Sequence, residues 1–391
     1  MKEIYLDNHT TTAPHPKVLE AMKPYLTKRW GNYLQPHQKG QELISDIHKA
    51  YEKIYELIGA DVSDDELFFV SNCEEAISTV YQIVYQEAVQ QQGKNHFLTL
   101  ATEDASVLMN LKRLEKLGCS TFNLELNKEG LIQVDKIAEA ITPRTALVSL
   151  SLAHGLTGLM QPIEKLKELC KLRGIFLHLD ISYAIGKMDI DVQELGADFI
   201  TFGGDKFHGP KSSGILYVHS GVRLHPLILG GLEQKGVRGG ILDVSQLAGL
   251  AEAAMHAQEN ISDMGLEIAS LRDLFESNLR KGLDDVEILL SHGMRLPNVS
   301  VVAFKDVVAD ALLYSLNHKK VFASLGGVQF QRLSHILDLL GQSPELANGA
   351  LSFAMSHQTT AEEVNKASEI IIEEVKKLRL MTKNMEPSSG S

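Results

Sequence analysis

The sequence predicts an α/β fold in which a mainly parallel sheet, covered by helices on both faces, is joined to a smaller α+β domain. Two observations lead to this prediction. Through the first two thirds of the chain, short apolar runs alternate with longer amphipathic stretches, which is the pattern of strands connected by helices. In the last third this alternation gives way to long helical stretches and one further strand.

The strands of the large sheet are predicted from short apolar runs bounded by polar residues or glycine. They are expected at 66–70, 96–100, 121–124, 145–150, 175–180, 199–202 and 214–218. Helices are expected at 74–92, 105–117 and 162–173, where apolar residues recur at helical spacing. Because ligands of such sheets bind beside the carboxyl ends of the strands, we expect functional residues at 71–73, at Asp180 and at 203–206.

The last third of the chain predicts a smaller α+β domain. Residues 244–283 are expected to form two long helices that are broken near Met264 and Gly265. Residues 296–304 alternate like a strand with one solvent-facing side. The extended N-terminal piece at 4–7 is expected to join this domain or to run beside it.

Thr360 and Glu363 have the spacing of a capping box, which predicts a helix from this point to about Leu380. The small, polar residues that follow predict a disordered tail. The predicted boundaries are 15–258 for the large domain, 1–14 together with 259–383 for the small domain, and 384–391 for the tail.

The composition is that of an ordinary globular protein, with 44% hydrophobic residues. The net charge of −12 argues against binding to nucleic acid, which is a polyanion. The longest apolar runs are too short to cross a bilayer, and the N-terminus lacks the apolar core of a secretory signal. Cys73, Cys119 and Cys170 are too few for a disulfide framework and lack zinc-site spacing. We expect a cytoplasmic protein without a metal.

Two residues at successive strand ends suggest a chemistry. Asp180 closes an apolar strand, where it either caps the following turn or presents a carboxylate to a ligand. Lys206 follows the next strand in a glycine-rich turn, where it is either a surface lysine or a desolvated amine that can form an imine. Together they match a pyridoxal ring, whose aldehyde is held by the amine and whose ring nitrogen pairs with the acid.

At these residues the chain resembles the cysteine desulfurases, which are fold-type I pyridoxal-phosphate enzymes of the class V aminotransferase family. The resemblance extends over nearly the whole chain and is that of a divergent member. Each motif alone is weak, but their order and spacing together are specific. The motifs are Tyr5-Leu6-Asp7-Asn8-His9-Thr10-Thr11-Thr12, Gly31-Asn32 with His37, Thr102-Glu103-Asp104-Ala105, His178-Leu179-Asp180, Lys206 with Gly209-Pro210-Lys211, Gly236-Val237-Arg238-Gly239-Gly240, and Thr359-Thr360-Ala361-Glu362-Glu363.

The resemblance implies a seven-stranded sheet, a homodimer with sites completed across the interface, and conversion of L-cysteine to L-alanine. A cysteine of the family removes the sulfur as a persulfide for an acceptor protein, in sulfur metabolism and iron–sulfur cluster assembly. By resemblance, Lys206 is the catalytic Schiff-base lysine, and Asp180 pairs with the pyridinium nitrogen. The other implied cofactor-binding positions are Ser71, Asn72 and Cys73 at the phosphate-binding turn, Gly203 in the phosphate cup, and Tyr183 and His154 at a cofactor oxygen.

The chain departs from the family where the phosphate of pyridoxal 5'-phosphate would bind. Threonine, serine and histidine of the family are replaced by Glu74, Gly203 and Asp205, and Ile241 stands where a threonine comes from the other subunit. Lost donors and carboxylate repulsion predict weak phosphate binding. This effect disappears if Glu74 or Asp205 points away or pairs with Lys211 or Arg238.

Other departures affect the sulfur chemistry. Asp104 replaces a histidine that stacks on the ring, and Ser352 replaces the arginine that grips the substrate carboxylate. The loop at 323–331, where the persulfide cysteine is expected, contains no cysteine. Three readings therefore stay open, of which the family favours the first: a pyridoxal-phosphate-dependent cysteine desulfurase, a degenerate dimeric binding or regulatory protein, and a pyridoxal-phosphate enzyme for another amine.

Overall fold

The computed structural model of the protein describes residues 2–327 and 331–385. The strands are β1 (Ile4–Tyr5), β2 (Glu66–Val70), β3 (His96–Leu100), β4 (Ser120–Leu124), β5 (Thr145–Ser151), β6 (Phe176–Asp180), β7 (Phe199–Gly203), β8 (Gly214–Val218), β9 (Val286–Leu289), β10 (Val299–Phe304), β11 (Val321–Phe322) and β12 (Ala350–Ala354).

The α-helices are α1 (Pro16–Thr27), α2 (Gln38–Gln41), α3 (Ile44–Ile58), α4 (Cys73–Val84), α5 (Ala105–Lys116), α6 (Val134–Ala140), α7 (Glu164–Arg173), α8 (Val192–Leu195), α9 (Val244–Gly282), α10 (Ala309–His318), α11 (Leu333–Leu339), α12 (Pro344–Asn348) and α13 (Ala361–Met385). A π-helical segment, Tyr85–Gln90, extends α4 and completes the helix predicted at 74–92. Two 3₁₀ turns lie at Gly204–Lys206 and Glu233–Gly236.

The central sheet has seven strands in the order β2-β8-β7-β6-β5-β3-β4. The pairs from β7 through β6, β5 and β3 to β4 are parallel, whereas β8 is antiparallel to both β7 and β2. The prediction of an α/β fold with a mainly parallel sheet is therefore confirmed. Asp180 at the end of β6 lies between Ser151 of β5 and Thr201 of β7, so the predicted acid stands at the carboxyl edge.

Both faces of this sheet are buried, because neighbouring residues of each central strand enter different apolar clusters. One cluster contains Leu98, Val148, Leu177 and Ile200. The cluster on the opposite face contains Phe97, Leu147, Phe199 and Leu216. Helices cover the two faces, as expected for strands that are continuously apolar rather than alternating.

The predicted break near Met264 and Gly265 is wrong, because α9 runs without interruption from Val244 to Gly282. A glycine inside a helix costs only about 1 kcal/mol relative to alanine. Packing of α9 against α1, α3 and α13 outweighs that cost. The predicted domain boundary at residue 258 falls within this helix, so the domain limits remain a proposal.

The prediction that 296–304 has one solvent-facing side is also wrong. All six residues of β10 are buried, since β10 is the middle strand of an antiparallel sheet with β9 and β12. Val299, Val301 and Ala303 pack into the main apolar cluster on one side. Val302 and Phe304 pack into a second cluster on the other side.

The capping box before α13 forms as predicted. The Glu363 carboxylate accepts the Thr360 N–H at 3.0 Å, and the Thr360 hydroxyl accepts the Glu363 N–H at 3.2 Å. The helix extends beyond the predicted end to Met385, so 384 and 385 belong to it, while 386–391 of the predicted tail lie outside the described residues. At the other end of the chain, β1 pairs in parallel with β11.

Candidate active site

A cavity of about 300 Å³ opens at the carboxyl edge of the central sheet. A larger groove, of about 640 Å³, lies at the amino ends of β6 and β7 and includes Cys170, Asp198 and His219 but no residue of the predicted site. The chemistry therefore belongs to the smaller cavity. Its lining consists of Thr10, Thr11, Asn72, Cys73, Glu74, Ile77, Asp104, Ser106, Asp180, Ser182, Tyr183, Asp205, Lys206, Lys211, Ser212 and Ser213.

Lys206 is buried, with only 8% of its surface exposed, in the 3₁₀ turn that follows β7. Its Nζ donates to the Thr10 carbonyl at 2.6 Å and pairs with Asp205 Oδ2 at 3.0 Å. Nζ lies 5.8 Å from the centre of the Tyr183 ring. The reading of Lys206 as a surface lysine is therefore wrong, since its amine faces the cavity with a proton acceptor beside it.

The N-terminal segment holds the lysine turn in place. The Thr12 N–H and hydroxyl both donate to the Asp205 carbonyl, at 2.8 and 2.9 Å. The Thr12 hydroxyl oxygen in turn accepts the His208 N–H at 2.7 Å. These bonds give a physical role to the threonines of the N-terminal motif, because they fix the backbone on both sides of Lys206.

Asp180 is buried and has two different partners. Its Oδ1 accepts the Ser182 N–H at 2.8 Å, as a turn-capping aspartate would, and its Oδ2 lies 3.5 Å from the Cys73 thiol. Burial raises the pKa of the Asp180 carboxyl, an effect that the hydrogen bonds from Ser182 oppose. One oxygen of Asp180 thus caps the turn, as the first interpretation predicts. Asp180 also lines the cavity, and its role toward a ligand stays a prediction.

Cys73 is the first residue of α4 and is half-buried. Burial, followed by the charge of Asp180, raises the pKa of its thiol well above the ordinary value. The thiol also accepts the Ser182 hydroxyl at 3.2 Å. A raised pKa disfavours the thiolate, which is the nucleophilic form of cysteine.

Tyr183 and Asp104 form a pair that the sequence did not predict. The Tyr183 hydroxyl donates to Asp104 Oδ2 at 2.6 Å. Burial raises the pKa of Asp104 to about 7. The neighbouring Glu103 is buried behind the cavity, and burial raises its pKa to about 8 although its carboxylate accepts the Ser151 N–H and hydroxyl.

At the start of α4 the chain uses its own side chains to satisfy backbone donors. Asn72 Oδ1 accepts the Glu75 N–H at 2.8 Å, and Glu75 Oε2 accepts the Ser71 N–H at 2.8 Å. Arg238 Nε donates to Glu75 Oε1 at 2.9 Å. Arg238 therefore pairs with Glu75 and not with Glu74, which lines the cavity as the second residue of the helix.

Five of the predicted site residues line the cavity together: Asn72, Cys73, Asp180, Tyr183 and Lys206. Ser71 and Gly203 do not belong to the lining of the cavity. Ser71 directly follows β2, and Gly203 is the last residue of β7. His154 lies in the loop after β5, where its Nδ1 accepts the Thr157 N–H at 3.2 Å and burial lowers its pKa to about 4. The roles of all these residues toward a cofactor remain predictions.

The sequence did not single out the hydroxyl groups of the cavity, those of Ser106, Ser182, Ser212 and Ser213. Serine is common in turns, so nothing in the pattern separated these residues from others. Ser182 was predictable as a partner of Asp180, because it follows Asp180 by two residues at a strand end. At that spacing its N–H reaches the carboxylate.

The positions linked to sulfur chemistry lie elsewhere. Ser352 is fully buried in β12, and its hydroxyl donates to the Leu156 carbonyl at 2.6 Å. Among the described residues of the 323–331 loop, Ser324 pairs through its backbone with Ser352. Residues 328–330 of this loop lie outside the described part of the chain, but the sequence of 323–331 contains no cysteine.

A buried lysine after one strand and a buried aspartate on the neighbouring strand, at the carboxyl edge of a mainly parallel sheet, define a protein of the fold-type I pyridoxal-phosphate class. The family model of the class-V aminotransferases matches residues 4–366 of this chain. The chain belongs to this family.

The similar proteins place the chain nearer to one group within the family. It is 33% identical to a cysteine desulfurase of Nostoc sp. over 385 residues, which cover 98% of this chain and 95% of that protein. It is 33% identical to the cysteine desulfurase IscS of Dictyoglomus turgidum over 387 residues, or 97% and 96% of the two chains. A solved NifS-like protein superposes with a TM-score of 0.89 at 28% identity, over 96% of this chain and 100% of the other. The chain is a cysteine desulfurase-like protein.

The described residues contain neither a metal-binding cluster nor a helix suited to span a membrane. Across 2–327 and 331–385, no set of three or more His, Cys, Asp and Glu side chains is arranged to hold a metal ion. In the same ranges, no helix combines the length and the apolar character needed to cross a membrane.

The family implies pyridoxal 5'-phosphate, and the cavity fits one part of that cofactor. Lys206 and Asp180 match its aldehyde and its ring nitrogen. The end that would receive the phosphate does not fit, because the carboxyl groups of Glu74 and Asp205 line the cavity. The residues present therefore do not fit the phosphorylated cofactor.

Proposed function

We propose that this cysteine desulfurase-like protein binds a carbonyl ligand through the Lys206 amine and does not itself transfer sulfur. The observation that supports this most directly is the buried Lys206 Nζ, which shares the cavity with Asp180 and lies 3.0 Å from the Asp205 carboxylate. The carboxylate can accept the proton that the ammonium group must lose before it attacks a carbonyl carbon. The cavity thus supplies the nucleophile, the base and an acid for a ring nitrogen.

Sulfur transfer needs two groups that the chain does not supply at the expected places. The arginine position is Ser352, a buried serine whose hydroxyl is bonded to a backbone carbonyl, so it cannot bind a carboxylate. The expected cysteine loop contains no cysteine, and burial raises the pKa of the Cys73 thiol. If Lys206 also bound no carbonyl ligand, the chain would act as a dimeric binding or regulatory protein. The missing arginine and the missing cysteine favour that hypothesis.

We expect the purified chain, supplied with L-cysteine and pyridoxal 5'-phosphate, to form alanine at least about 100-fold more slowly than the Nostoc relative. A missing nucleophile and a missing bidentate arginine contact each remove several kcal/mol of transition-state stabilisation. The measurement is alanine and sulfide release per subunit, with Lys206→Ala as the background. Alanine formation well above that of Lys206→Ala would contradict the proposal.

A homodimer is the second part of the proposal. The segment 228–241 folds back on itself, since the Gly239 N–H donates to the Ile228 carbonyl at 3.0 Å. It carries Leu229 and Leu232, each 83% exposed, and Ile241, which is 64% exposed. Exposed apolar residues grouped in one segment favour a protein contact, here with a second copy. The three free thiols, Cys73, Cys119 and Cys170, support a reducing compartment such as the cytoplasm.

The Leu229→Asp/Leu232→Asp double variant is expected to halve the molar mass measured by analytical ultracentrifugation at micromolar concentration. Two charges placed in an apolar contact cannot be desolvated without a large cost. Leu172→Asp, at a residue 81% exposed near the end of α7, is the matched control and should leave the mass unchanged. A wild-type chain that sediments as a monomer would contradict the dimer.

A further inference from the structure

Carboxyl groups outnumber amines in the lining of the cavity around Lys206. Four carboxyl groups line it, those of Glu74, Asp104, Asp180 and Asp205, against the two amines of Lys206 and Lys211. Asp205 and Lys206 neutralise each other at 3.0 Å. Lys211 and Glu74 are both exposed, so water screens the charges of both side chains. Burial raises the pKa of Asp104 and of Asp180, so the charge that a dianionic ligand would meet at the start of α4 is mainly that of Glu74.

Several donors close to the start of α4 are occupied within the chain. The Ser71 N–H donates to Glu75, and the Glu75 N–H donates to Asn72. The Ser213 hydroxyl donates to the Pro210 carbonyl at 2.6 Å. The Arg238 guanidinium is bound to Glu75. A phosphate placed here would gain a hydrogen bond from any of these groups only by breaking an internal one.

The aldehyde-binding end has the opposite character. Lys206 is buried and donates to the Thr10 carbonyl. Asp180 lines the cavity, and its Oδ2 accepts the Cys73 thiol at 3.5 Å. Tyr183 and Asp104 also line the cavity and are hydrogen-bonded to each other. None of these contacts involves the phosphate end of the cavity. A ligand can therefore bind at the aldehyde end without carrying a phosphate.

We propose that the cavity selects a carbonyl compound without a phosphate group over the phosphorylated cofactor of the family. This rests on the proposed carbonyl binding by Lys206 and adds the class of ligand. Glu74 at the second position of α4 is the main discriminating residue, with Asp205 beside it. The favoured ligand is a flat, hydrogen-bonding aldehyde whose ring nitrogen pairs with Asp180.

The covalent step balances without any further reactant. The Lys206 ammonium group gives one proton to the Asp205 carboxylate, and the free amine attacks the carbonyl carbon. The carbonyl oxygen takes up two protons, one returned from Asp205 and one from the nitrogen, and leaves as water. A carbon–nitrogen double bond replaces the carbon–oxygen double bond, and nothing is oxidised or reduced.

The test compares two probes, 5-deoxypyridoxal and pyridoxal 5'-phosphate, which differ at the position of the phosphate. The first probe also lacks the hydroxyl with which pyridoxal closes on itself. Each is titrated into the full chain, and binding is read from the visible absorbance of the imine and from the mass of the borohydride-reduced adduct. We expect 5-deoxypyridoxal to bind at least about 100-fold more tightly, because the phosphate probe brings a dianion into a cavity that the carboxyl groups of Glu74 and Asp205 line.

The Glu74→Thr variant restores a neutral donor at the discriminating position. It is expected to raise the affinity for pyridoxal 5'-phosphate by about 100-fold and to change that for 5-deoxypyridoxal by less than about threefold. Adding Asp205→His should raise the affinity for the phosphate probe further. Glu20→Thr, on the exposed face of α1, is the matched control and should change neither affinity.

The outcomes separate the two proposals. If the wild-type chain binds the phosphorylated probe as tightly as the other, or if Glu74→Thr leaves its affinity unchanged, the selection is overturned while carbonyl binding by Lys206 stands. If neither probe forms an adduct with the folded chain, carbonyl binding itself is overturned, and the selection with it.

Discussion

Replacement of Lys206 by alanine is expected to abolish the imine absorbance with 5-deoxypyridoxal and to lower the affinity by at least about 100-fold. The amine is the only group of the described cavity, apart from the exposed Lys211, that can form a carbon–nitrogen double bond. Asp180 and Tyr183 would remain to contact a ring, but without a covalent bond. The measurement is a visible-absorbance titration of the purified variant.

Lys206→Arg is a second variant that separates the loss of the reactive amine from the loss of the positive charge. Arginine keeps a positive charge for Asp205 and donors for the Thr10 carbonyl, but it stays protonated and forms no imine. Its absorbance should match that of Lys206→Ala while its stability stays close to that of the wild type. Lys136→Ala, at an exposed lysine of α6, serves as the control for unspecific lysine reactions. Retention of the imine band in Lys206→Arg would disprove the assignment.

Glu276→Ala is expected to lower the free energy of unfolding by about 3–5 kcal/mol, because it leaves a buried arginine without its partner. Glu276 of α9 accepts two hydrogen bonds from Arg295, at 2.7 and 3.2 Å, and one from the Ser300 hydroxyl at 2.9 Å. Both members of the pair are buried, with 6% and 11% of their side chains exposed. The pair ties the long helix to the segment that leads into β10.

The measurement is urea unfolding of the wild type and the variant at the same pH. Glu369→Ala is the matched control, since it removes one member of an exposed pair with Lys366 and should cost no more than about 0.5 kcal/mol. The double variant Glu276→Met/Arg295→Met should recover most of the loss, as it removes the unpaired charge. A loss below about 1 kcal/mol for Glu276→Ala would show that the pair contributes little.

The large sheet was predictable because its strands are continuously apolar and end in polar residues. The positions of Asp180 and Lys206 followed from the same pattern, since neighbouring parallel strands bring their carboxyl ends together. The capping box before α13 was predictable for a local reason, as its two residues satisfy each other's backbone.

What the sequence could not give depends on contacts between distant segments. The uninterrupted α9 is stabilised by helices from both ends of the chain, which outweigh the local cost of Gly265. The burial of β10 follows from two apolar clusters that meet on its opposite faces. The pairing of Tyr183 with Asp104, and of Arg238 with Glu75, joins residues that no local spacing connects.

The central claim, that Lys206 is the residue that binds a carbonyl ligand, is tested most directly by reductive trapping. The full chain is incubated with 5-deoxypyridoxal, reduced with sodium borohydride, digested and mapped by mass spectrometry. We expect one dominant modified residue, Lys206, carrying the mass of the reduced imine. Modification spread over exposed lysines such as Lys136 and Lys211, with Lys206 left unmodified, would contradict the claim.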